Sequence, residues 1–106
     1  MTYDDALRWA RYAFRRDGAV YAEGAAIKAE SAHAYLSAHG WRLSGKETKT
    51  CLIYNYGDPT TNVVRCPKED GVFDHDDAMM HVVWRCHEVE GRPVFDIWCE
   101  MKEAKP

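Results

Sequence analysis

The hydrophobic pattern changes period once, close to Gly40 and Trp41. Before that point apolar residues recur every three to four positions; after it they alternate. A chain that is helical first and strand-like afterwards is expected to fold as α+β. The arrangement expected is an N-terminal antiparallel two-helix hairpin packed on one face of an antiparallel sheet of about four strands. The 106 residues suit a single domain, helical over about 3–39 and β over about 41–101. Surface scaling buries about two-thirds of the extended chain's area, enough for a core without metal or disulfide staples.

The first helix starts at Thr2, a capping residue, with Asp4 and Asp5 in the first turn where the helix dipole favours anions. Tyr3, Ala6, Leu7, Ala10, Ala13 and Phe14 share one side, while Asp4, Arg8, Arg11 and Arg15 share the other. Gly18 ends it. A second helix over about 20–39 stops at Gly40, and its richest apolar side is small: Ala22, Ala25, Ala29, Ala32 and Leu36.

Strand candidates follow at 48–56, closed by Gly57-Asp58-Pro59, and at 61–66, closed by the turn from Pro67 to Gly71. The last pair is a hairpin, 79–89 and 92–101, turning at Glu90-Gly91. Its register puts Val82, Trp84 and Cys86 opposite Cys99, Ile97 and Phe95 on the core face. The other face pairs Arg85 with Asp96, His87 with Val94 and Val83 with Trp98.

The net charge is −3, and it is unevenly placed. Residues 1–50 hold 8 Lys/Arg against 6 Asp/Glu, whereas residues 51–106 hold 6 against 11. An acidic excess argues against a nucleic-acid binder. No apolar run spans a bilayer, and Asp4, Asp5, Arg8, Arg11, Arg15, Arg16 and Asp17 leave no apolar leader, so a cytoplasmic location is expected. The four cysteines (51, 66, 86, 99) are then reduced, each inside an apolar run where a thiol packs as a small hydrophobe. No Cys-x2-Cys pair occurs, so no structural zinc is expected, and neither is another metal or a cofactor.

Three constellations carry possible chemistry. His81, Arg85 and His87 would share the open hairpin face and could serve as acid and base around a phosphodiester; a half-exposed polar face accounts for them as well. Asp74, Asp76 and Asp77, around His75, form an acidic loop that lacks the calcium-loop pattern and reads as solvated. Arg8, Arg11 and Arg15 could follow phosphates, though Asp4 sits among them.

The open face of the hairpin holds Val83 and Trp98 beside Arg85, Asp96 and His87, the composition of a protein-binding hot spot. The expected function is a non-enzymatic module that occupies a partner's surface. The partner is a protein with a basic surface, steered in by Asp74, Asp76 and Asp77, or a second copy in a homodimer. By size and charge alone the chain is analogous to immunity proteins and to phage or mobile-element antagonists of the anti-CRISPR type. The alternatives are a small nuclease-like enzyme using His81, Arg85 and His87, and a nucleic-acid accessory using the arginine stripe.

Overall fold

The computed structural model describes Thr2, Asp4, Asp5 and residues 27–57, 62–70 and 75–106, with backbone alone for 75–78. At the start, Thr2 and Asp5 cap each other: the Asp5 amide donates to Thr2 Oγ1 and the Thr2 amide to Asp5 Oδ2, both at 3.2 Å. The remainder of the expected first helix, with Arg8, Arg11 and Arg15, lies outside the described residues, as does the first half of the second. Within the span expected for the second helix, the described helix is α1 (Ala29–Ala38); the expected 20–39 helix is broken at Lys28, an extended N-cap, after which α1 begins. It ends where Gly40 takes a φ of +91°, a conformation without steric penalty only for glycine.

Three strands follow as an antiparallel meander, β1 (Trp41–Glu47), β2 (Cys51–Tyr56) and β3 (Val63–Pro67), in the order β1-β2-β3. β2 and β3 match their sequence expectation. Trp41, Tyr54, Val64 and Cys66 are buried on the inner face. β1 is an exposed edge, and its register slips between Leu43 and Glu47. Such a bulge discourages unwanted edge pairing.

The expected hairpin over 79–101 is not a hairpin. Residues His75–Glu90 form α2 and Val94–Glu103 form α3, so the described part of the sheet has three strands, and two helices come after it. The helical period was present in the sequence. Met79, Val82, Val83 and Cys86 are buried on α2, and Val94, Ile97, Trp98 and Met101 on α3; both sets follow the i, i+3, i+4, i+7 rule. Adjacent Val82 and Val83 cannot share one face of a strand but do share one side of a helix. The Gly91-Arg92-Pro93 break is a helix stop and a helix start: Gly91 has φ +73° and Pro93 is the N-cap of α3.

α1 packs on β1 and β3, α2 on β3, and α3 against α1 and α2. Their apolar faces join the inner face of the sheet in one core. Trp98, at 2% exposure, lies inside that core, whereas Trp84 is half-buried. Trp98→Ala is therefore expected to destabilise the monomer by about 3–5 kcal/mol in denaturant melts, more than Trp84→Ala. Equal, small losses for both would be inconsistent with this packing.

Candidate functional site

Glu90 ends α2 with its side chain only 5% exposed. A carboxylate is poorly placed there, since the helix C-terminus is the negative end of the dipole and burial of a charge is costly. Donors from three elements compensate. The Tyr35 hydroxyl of α1 donates to Oε1 at 3.0 Å, and the Trp41 indole N–H of β1 donates to Oε2 at 3.1 Å. Arg92, in the α2–α3 link, brings Nη1 to 3.7 Å of Oε1. The same Nη1 donates to the Tyr35 oxygen at 3.2 Å, while Nη2 reaches Glu100 of α3 at 2.5 Å.

His39, at the end of α1, completes the cluster. Its ring stacks on Tyr35 at 4.0 Å between centroids. Nδ1 lies 4.0 Å from Glu90 and Nε2 3.9 Å from Glu100. Burial, then the neighbouring Glu90 charge, pushes the Tyr35 hydroxyl well above its ordinary pKa, so it stays a donor. The hydrogen bond from Arg92 holds the Glu100 carboxyl below the usual range.

A second polar junction lies under α1. His33 bridges Tyr54 of β2, at 2.7 Å from Nδ1, and the Pro67 carbonyl of β3, at 2.8 Å from Nε2. The carbonyl only accepts, so Nε2 carries the proton and the Tyr54 hydroxyl donates to Nδ1. Beside it opens a cleft of about 850 Å³ lined by Glu30, His33, Ser37, Lys68, Glu69 and Lys105 among others. Lys68 is spent on Glu47 at 2.5 Å. Asp70, also on the cleft wall, accepts the Ala29 amide at 2.7 Å and so caps α1 from 41 residues away.

The residues expected to form a site are dispersed. Trp98 and Val83 are buried in the core because their segments are helices, so the apolar hairpin face does not exist. Arg85 does not meet Asp96; its Nε donates to the Val63 carbonyl of β3 at 2.9 Å, and Glu88 lies 3.9 Å from Nη1. His87 donates from Nδ1 to the Arg92 carbonyl at 2.6 Å and leans on Trp84. His81 is exposed and lies about 120° around the helix from His87, whose ring is held by the Arg92 carbonyl, so His81, Arg85 and His87 do not converge. Asp74 lies outside the described residues. Asp76 and Asp77 fall in the first turn of α2, where acidic residues complement the helix dipole. Asp96 is exposed on α3.

The cysteines are free, with Cys51, Cys66 and Cys86 buried. Burial pushes the Cys66 thiol up to about 12. Burial and then Glu90 raise that of Cys86. Among the described residues no three His, Cys, Asp or Glu side chains are grouped to hold a metal ion, and no helix is long and apolar enough to cross a membrane. No protein-family model matches the chain, and no curated protein or solved structure matches it either.

Three outcomes are expected. Glu90→Ala should cost about 3 kcal/mol of stability, the scale for breaking a buried pair; a loss below about 1 kcal/mol would mean that the donors find water instead. Glu100 has a depressed pKa in the folded state, so its contribution is full above the unfolded carboxyl value and fades as pH falls through the folded one. Acid titration of stability should accordingly be shallower in Glu100→Gln than in the parent. With a thiol reagent the native chain should expose Cys99 first, and Cys66 and Cys86 only on unfolding; simultaneous reaction of all four would contradict the burial.

Proposed function

We propose that this chain is a non-enzymatic protein-binding module that works by occupying a partner's surface, and that the contact face is the outward side of α3. One observation carries this. The inner side of α3 is spent in the core, while Asp96, Glu100 and Glu103 run along the outer side, at i, i+4 and i+7, within about 60° of one another. Phe95, 57% exposed, stands beside them. An exposed aromatic ring flanked by an acidic row on one side and by Lys102 on the other is interface composition, and the acidic row suits a basic partner. The steric mode, like that of small acidic inhibitors, needs no reacting group.

The polar side chains favour the same conclusion. His33 and His87 are held by backbone carbonyls, Glu90 is enclosed by its donors, and the buried thiols of Cys66 and Cys86 are kept protonated. These groups join elements of the fold and are poorly available to a substrate.

Affinity capture from the source cells tests the proposal, with the parent and Asp96→Lys/Glu103→Lys run side by side. A basic protein is expected on the parent, lost on the variant and lost at high salt. A set of captured proteins indifferent to the variant would overturn the assignment of the face. Hydrolytic turnover of a nucleic acid, abolished by His81→Gln/His87→Gln in a folded chain, would overturn the non-enzymatic reading.

A further inference from the structure

Two patches lack ion partners among the described residues, and their spacings match. Arg42 on β1 and Arg65 on β3 are exposed, and neither pairs with a carboxylate of the described residues. The strand register sets Arg42 level with Asn55 and Val63, and Arg65 level with Ile53. All five belong to the outer face of the sheet, opposite Trp41, Tyr54 and Val64. Ile53, Asn55 and Val63 are half-buried between the two arginines. Two strand spacings across and two residues along put the arginine positions about 12 Å apart.

On α3, Asp96 and Glu103 are likewise exposed and without an ion partner among the described residues, whereas Glu100 is tied to Arg92. Seven helical residues place them about 10–11 Å apart along one stripe. The two patches cannot meet within one chain. α3 packs on α1 and α2, and these helices cover the inner face of the sheet, so the acid stripe and the arginines point to opposite sides.

We propose that the outward face of α3 docks on the outer sheet face of a second copy, with Asp96 and Glu103 meeting Arg42 and Arg65. This rests on α3 being the contact face and names the basic surface it fits. The contact is head-to-tail: an open assembly leaves one acidic and one basic patch unused at its two ends, so it grows with concentration unless its rotation closes a ring. Exposed charge pairs of this sort are screened by salt.

Sedimentation velocity on the full chain decides it, using two neutralised variants, Asp96→Asn/Glu103→Gln and Arg42→Gln/Arg65→Gln. The parent is expected to gain mass with concentration at low salt and to lose it at high salt. Each variant alone should associate about tenfold more weakly or worse. Their equimolar mixture should form a one-to-one dimer and nothing larger, because only one complementary pair of patches survives. A parent that stays monomeric, or a mixture that does not associate, overturns the proposal. If a monomeric parent still captures a basic protein through α3, self-docking fails while the protein-binding function stands.

Discussion

A buried carboxylate at the wrong end of a helix organises this molecule. Glu90 gains nothing from the α2 dipole and little from water, so it depends on partners that other elements must bring. Tyr35 comes from α1, Trp41 from the first position of β1, and Arg92 from the link to α3. Each donor must be in place for the charge to be tolerated, which fixes the end of α2 against α1 and the sheet at once. Arg92 passes the constraint on to α3 through Glu100. The apolar core supplies most of the driving force, but apolar contacts are non-directional; this cluster is the directional part.

The same use of polar groups recurs elsewhere. Asp70 caps α1 across the chain, Arg85 ties α2 to the Val63 carbonyl, and His33 ties α1 to β2 and β3. In each case a side chain that could carry chemistry satisfies a backbone group or a buried hydroxyl instead. Charges without an ion partner among the described residues lie outside, on α3 and on the outer sheet face.

The sequence was legible where one period dominated. Gly40 as a helix stop and the strands around Ile53 and Val64 could be read directly, because turn residues bracket each run. The segment from Met79 to Met101 was misread because every second residue of it happens to be apolar in places, and Glu90-Gly91 resembles a hairpin turn. The neighbouring Val82-Val83 pair and Pro93 carried the helical signal, and Pro93 in particular argues against a paired strand. A strand reading of this segment exchanges the inside and outside for Trp98 and Val83 and pairs Arg85 with Asp96, which the two helices keep apart. Asp96 kept its exposed position because it is polar in either period. The Glu90 cluster was not legible: its two hydrogen-bond donors, Trp41 and Tyr35, lie 49 and 55 residues from Glu90 along the chain, and no local pattern announces a tertiary contact of that reach.

The central claim is that Glu90 and its donors act as one unit, and a double-mutant cycle between Tyr35→Phe and Glu90→Gln measures that most directly. Contact within one buried network predicts a coupling of about 1 kcal/mol or more between the two substitutions in equilibrium unfolding. Simple additivity, within about 0.3 kcal/mol, would show that hydroxyl and carboxylate stabilise the fold independently and would contradict the account.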